Sequence, residues 1–164
     1  MPTPPLMDLD RLCEVLPHRP PALLIECVTE VKPGEYAVGL KEVRPGDSFL
    51  EGHFPGLPVM PGAAIIECMA QVAGVLTQAT APEAVSESGM ALLGIDKTRF
   101  RRAVFPGDTL RIEVRVLQRR DPVWKFQARA SVGDERAAEA LLVAGLTSKG
   151  QWGLSASRTK PGDK

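Results

Sequence analysis

One histidine and one carboxylate stand fourteen positions apart in GHFPGLPVMPGAAIIECMAQ, residues 52–71. His53 sits in a loop with Pro55, Gly56, Pro58 and Pro61. Prolines stiffen such a loop, and glycines let another molecule approach the backbone closely. An imidazole titrates near neutrality and suits the work of a general base. Glu67 lies between Ile66 and Cys68 in an otherwise apolar run. Burying a carboxyl group raises its pKa, so Glu67 is expected to hold a proton and to act as an acid. Gln71 follows four residues later, on the same face if the run is helical. Gly62 falls in the first turn of that helix, where an N–H has no intrahelical partner and the helix dipole is positive. A base, an acid and a donor for a developing oxyanion are thus available within one segment. Spacing alone equally allows a structural Glu67 bonded to Gln71 and a surface His53. His18, in LPHRPP, reads as a turn anchor.

Several elements must position these groups. Pro61-Gly62 opens a helix that runs to about residue 78, interrupted only by Gly74. It is apolar on nearly all sides, so it needs covering. Gly74 is expected to leave space beside the Glu67 face. A short helix is expected over 8–16, with Leu9, Leu12 and Leu16 on one face. Strands are expected over 22–31 and 35–43, forming a hairpin around Lys32-Pro33-Gly34. Further strands are expected over 90–96, 109–118 and 123–132, the last two alternating cleanly between apolar and polar residues. Residues 135–148 are rich in alanine, which favours helix. The tight turn before them and the preceding meander favour strand, and strand is chosen. A loop is expected over 79–89. The pattern is α+β: one domain over 8–148, a long central helix wrapped by a curved antiparallel sheet of five to six strands. Residues 1–7 are expected to be loose and 149–164 to form a disordered tail.

The chain has 164 residues, enough for one domain with a sizeable core. Formal net charge is zero, which gives no global field to attract nucleic acid. Residues 97–129 nevertheless carry ten Lys/Arg against three Asp/Glu, while the preceding part is acidic. That excess suits an acidic partner, or else marks the wet faces of strands. Cys13, Cys27 and Cys68 show neither CxxC nor metal-ligand spacing and read as reduced thiols in a cytoplasmic protein. The N-terminus lacks the pattern of a signal peptide, and no window reads as a membrane span.

The order and spacing of LPHRPP, GHFPGLPVMPG, IIECMAQ and LLGIDKTRFRRAVFPGD resemble the (3R)-hydroxyacyl-acyl carrier protein dehydratases, from about Leu16 to Ser148. The resemblance implies a hotdog fold, with active sites formed across a homodimer, often within a trimer of dimers. It implies that His53 is the catalytic base, that Glu67 from the opposite subunit is the acid, that the Gly62 N–H holds the thioester oxygen and that Gln71 supports the carboxyl. It places the acyl chain against Phe54, Pro61, Met90 and Leu92. It makes the partner an acyl carrier protein, met by Arg119 and Arg120 and more weakly by Arg101 and Arg102. The implied reaction needs no metal or redox cofactor, because the substrate rides on the carrier's phosphopantetheine arm. Many members carry tyrosines just before the GID segment, where this chain has Met90-Ala91-Leu92. A thioesterase on the same fold and a non-catalytic acyl-binding subunit are the alternatives. The first would leave His53 without a task.

Overall fold

A computed structural model describes residues 5–148. The elements run α1 (Leu9–Val15), β1 (Cys27–Lys32), β2 (Tyr36–Glu42), a 3-10 turn at Ser48–Leu50, α2 (Gly62–Thr80), α3 (Pro82–Glu87), β3 (Ser88–Phe100), β4 (Thr109–Arg120), β5 (Val123–Val132) and β6 (Glu135–Ser148). All six strands join one sheet in the order β1-β2-β4-β5-β6-β3, and every pairing is antiparallel. The fold is α+β, with α2 packed along the sheet. Residues 1–4 of the expected loose start and the whole expected tail, 149–164, lie outside the described residues. Met7, within that expected start, exchanges two backbone hydrogen bonds with Val28, each 2.9 Å.

Alternation explains the sheet. Leu110, Ile112 and Val114 of β4, with Trp124, Phe126, Ala128 and Ala130 of β5, are buried. Arg111 and Arg115 project to solvent on the other face. Fully burying Leu110, Ile112, Val114 or Phe126 contributes roughly 1.5–3 kcal/mol each. The alanine-rich β6 is a strand because it pairs on both sides, with β5 and β3, so ladder hydrogen bonds and burial override helix propensity. Bulges at Leu92/Gly94 and Asp96/Arg99 interrupt β3, and such insertions bend a strand. Gly39 of β2 lies under α2. A Cβ there would stand 2.6 Å from Val72 Cγ2, so only glycine permits this approach.

Four expectations are corrected. Strand β1 begins at Cys27, five residues late, because a side chain from α2 takes the Ala22 carbonyl and the Leu24 and Ile25 N–H groups, while the Ala22 and Leu23 N–H groups bond the Arg19 carbonyl. The expected loop over 79–89 contains α3, started by Pro82 in its first turn. Leu9 is 45% exposed, so the buried face of α1 is Leu12 alone. Helix α2 is long and apolar enough to cross a membrane, contrary to the reading that no window is. Of its apolar window, however, 61% is buried inside this fold, as befits a core helix.

Candidate active site

Glu67 lies in the second turn of α2, about 7.5 Å along the axis from Gly62 at roughly 1.5 Å per residue. It is not deeply buried: its side chain is 43% exposed and opens onto a groove. Gln71, one turn on, is fully buried. Its Oε1 accepts the Leu24 N–H at 2.9 Å, and its Nε2 donates to the Ala22 carbonyl and to Glu67 Oε1, both at 2.8 Å. The Leu24 N–H can only donate, which fixes the orientation of the amide and turns its NH₂ toward Glu67.

A second group reaches the same oxygen. His18 Nε2 lies 3.3 Å from Glu67 Oε1, a long polar contact. The His18 imidazole, more than any other neighbour, draws the Glu67 pKa below the usual carboxylate range; burial pushes the other way and Gln71 adds to the lowering. The expected raised pKa is therefore corrected: in this chain two donors favour the charged form over the desolvation that opposes it. His18 is no mere turn anchor. Arg19 holds it in place, its Nη1 donating to the carbonyls of Leu16 at 2.9 Å and His18 at 2.7 Å.

The groove has a volume of about 760 Å³. Glu67, Ala70, Gly74 and Gln78 of α2 form one wall, and Met90, Leu92, Leu142 and Ala144 of β3 and β6 form the sheet side. Residues 13–19 and α3 close its rim. Gly74 borders the groove but leaves no void of its own, since Leu16 Cδ2 lies 3.0 Å from where its Cβ would be. The structure thus brings together Glu67, Met90 and Leu92.

His53, Phe54, Pro61 and Gly62 are not part of that groove in the same chain. They cluster around the start of α2. The loop leading there is anchored by buried Lys41, which meets Asp47 at 2.9 Å and Glu26 at 3.5 Å; Arg44 also bonds Glu26. A tight turn over 54–57, closed by reciprocal 2.9 Å bonds between Phe54 and Leu57, carries Gly56 at φ +74. His53 Nδ1 lies 2.8 Å from the Val59 carbonyl. A carbonyl only accepts, so Nδ1 carries the proton and Nε2 is the bare, basic nitrogen. The imidazole stacks on Phe54 at a centroid distance of 4.1 Å, and Phe54 is 54% exposed. Phe100 covers Gly62: a Cβ on Gly62 would meet the ring at 2.7 Å.

The comparisons agree with this architecture. The FabA-like domain family matches residues 16–141. A 3-hydroxyacyl-[acyl-carrier-protein] dehydratase FabZ from Desulforamulus reducens is 46% identical over 88% of this chain and all of its own length. The FabZ of Nitratidesulfovibrio vulgaris strain Miyazaki F is 41% identical, over 88% of this chain and 94% of that protein. The chain belongs to the FabZ family of 3-hydroxyacyl-[acyl-carrier-protein] dehydratases. The solved dehydratase heterocomplex ApeI:P from Xenorhabdus doucetiae superposes with a TM-score of 0.73, covering 90% of this chain and 97% of that one. Its 22% identity shows the shared hotdog fold alone.

Within this FabZ-family chain the four expected carrier-facing arginines differ. Arg119 is spoken for: it bonds Asp121 at 3.0 Å and stacks over Trp124 at 4.5 Å. Arg101 pairs with Glu139 at 2.6 Å, and Arg102 with Asp108 at 2.7 Å. Arg120 is exposed and has no carboxylate partner among the described residues. Across the sheet, Arg119 pairs with Trp124, Trp124 with Ala144 and Ala144 with Leu92, so this hairpin shares a row with the groove wall. At about 4.8 Å per strand step, the row spans roughly 14 Å. Sequence reasoning gave no role to Phe100 and underrated His18. Both stand in the quoted motifs, but their contacts are 38 and 49 positions away and carry no local signal.

Proposed function

We infer that this chain removes water from (3R)-3-hydroxyacyl groups held on acyl carrier protein, giving trans-2-enoyl groups, in fatty acid or related acyl-chain synthesis in the cytoplasm. The observation that carries the reading is 46% identity over the full length of a FabZ dehydratase. The site chemistry supports it. The Gly62 N–H at the start of α2 polarises the thioester carbonyl and makes the C2 proton more acidic. His53 Nε2 takes that proton, and the C2–H electrons form the C2–C3 double bond. Glu67, acting from the protonated minority that its lowered pKa leaves, gives a proton to the departing C3 hydroxyl, which leaves as water. The acyl chain lies along Met90 and Leu92, while Phe54 and Pro61 flank His53.

The site is completed by a second copy. His53 does not line the groove that holds Glu67 of its own chain. Strand β3 is an edge strand, and Leu93 and Ile95 on it are 57% and 45% exposed. An apolar sheet edge is a template for pairing with another chain, and a two-fold partner would cover it. Arg120 and its hairpin face the acidic carrier, with Arg119, Arg101 and Arg102 contributing through their ion-paired surfaces.

The test is incubation with a 3-hydroxyacyl carrier thioester, following enoyl formation, free thiol release and binding in parallel. Enoyl formation without thiol release is expected, with His53→Ala and Glu67→Gln each slowing it at least about a hundredfold. Thiol release would make the chain a thioesterase. Binding without turnover would make it an acyl-binding subunit.

A further inference from the structure

Glu67 poses a difficulty for the reaction just described. A proton donor should present one defined O–H to the leaving hydroxyl, yet a carboxyl group has two oxygens and rotates about its bond to Cγ. Here the two oxygens are unlike. Oε1 faces both Gln71 Nε2 at 2.8 Å and His18 Nε2 at 3.3 Å. No such donor is found at Oε2 among the described residues.

His18 itself shows which way its proton lies. Its Nδ1 is buried and has no hydrogen-bond partner. An imidazole protonated at Nδ1 would bury an unpaired N–H and turn a bare Nε2 toward Glu67 Oε1, itself an acceptor. The neutral tautomer protonated at Nε2 avoids both and aims its N–H at Glu67 Oε1. Arg19 clamps the carbonyls on either side of Pro17, so the backbone carrying the ring is held from two sides.

We propose, building on the dehydratase reading, that His18 is a positioning residue: with Gln71 it occupies Glu67 Oε1, so that the acid proton rides on Oε2 and is delivered from there. In the step, the Oε2–H bond breaks, its proton passes to the C3 oxygen, the C3–O bond breaks and water departs, leaving Glu67 as the carboxylate. That carboxylate is stabilised at Oε1 by the same two donors. His18 touches neither the substrate carbonyl nor C2. It acts through Glu67.

The surroundings make the inference testable by titration. Within one chain the other titratable groups lining the groove are Cys13, Glu14 and Arg19, all on the segment that carries His18; on the dehydratase reading the partner's His53 also faces Glu67. From α2, α3, β3 and β6 the lining beyond Glu67 is uncharged. The variants are His18→Ala and His18→Phe, the second keeping the volume of a ring without its N–H, and His18→Gln, whose amide can restore the donor. Turnover is measured on the carrier thioester. The Glu67 carboxyl is followed by its carbon-13 signal against pH, identified by its loss in Glu67→Gln.

His18→Phe and His18→Ala are expected to lower kcat about tenfold to a hundredfold with KM nearly unchanged, since misplacing a reacting group by an ångström costs up to that much. The Glu67 titration should move to higher pH in both, because a group favouring the charged form is gone. His18→Gln should recover most of kcat and part of the titration shift. An unchanged kcat, or a lowered kcat with the Glu67 titration in place, would overturn the proposal and leave His18 a packing residue. Glu67→Gln separates this from the reading beneath it. If Glu67→Gln keeps full turnover, the assignment of the acid has failed. If it abolishes turnover while His18→Phe retains it, only the role of His18 has failed.

Discussion

Replacing Gln71 with leucine keeps the volume and removes the amide. The side chain is fully buried and satisfies groups from two directions. Without it the part-buried Leu24 N–H loses its 2.9 Å acceptor, and the buried Ile25 N–H loses a weaker one at 3.4 Å. The Ala22 carbonyl loses its donor, but Ala22 is exposed and water can take over. An orphaned buried donor costs about 1–3 kcal/mol, and each exchanged bond about 0.5–1.5 kcal/mol. Extra apolar burial returns part of this, so a net loss of about 2–4 kcal/mol is expected. In a domain of this size each kcal/mol lowers Tm by roughly 2–4 °C, so Gln71→Leu should melt roughly 5–15 °C lower. The comparison requires equal protein concentration, because an assembling chain has a concentration-dependent Tm. Amide exchange locates the damage: protection at Leu24 and Ile25 should fall while the β4–β5 ladder stays protected. A Tm within about 1 °C of wild type, or intact protection at Leu24, would refute the argument that the amide substitutes for a strand at residues 22–25.

Two further outcomes follow from the charged groups. Arg120→Glu should raise KM for the carrier-bound substrate on the order of fivefold, with little effect on a small thioester lacking the carrier, and the difference should shrink at high salt. Asp108 is held below the usual carboxylate range chiefly by the Arg102 guanidinium, with burial opposing and the Phe105 N–H assisting. A depressed folded pKa contributes stability that is present above the unfolded value of about 3.9 and lost as pH falls through the folded one. Denaturant midpoints should therefore drop below about pH 4 in wild type and vary less with pH in Asp108→Asn.

Much of this molecule is legible from its sequence because its strands alternate. The inward residues of β4 and β5 are those that two-residue periodicity selects, and the turn at Gly133-Asp134 settles β6 against its alanines. What could not be read was set by partners far along the chain. Residues 22–25 look like a strand, but Ala22, Leu24 and Ile25 give backbone groups to Gln71, far along the chain. Glu67 looks like a desolvated acid, yet His18 and Gln71 pull its pKa the other way, and nothing near IIECMAQ announces the histidine. The six-residue α3 is too short to show a period. His53, Gly62, Glu67 and Gln71 stand out as candidates because they share one loop and one helix; the structure joins Glu67 to Gln71 and leaves His53 and Gly62 outside the groove. Whether any of them meet across chains is not encoded in spacing.

The central claim is that one reaction centre takes its base and its acid from different copies of the chain. Subunit mixing tests it most directly. His53→Ala and Glu67→Gln proteins are each inactive on this account, but a mixed dimer holds one site with both an intact His53 and an intact Glu67. Unfolding and refolding an equimolar mixture gives half mixed dimers by chance, so about a quarter of wild-type turnover should return. Mixtures that stay as inactive as either variant alone, with mixed dimers demonstrably formed, would contradict a shared site and place both groups within a single chain.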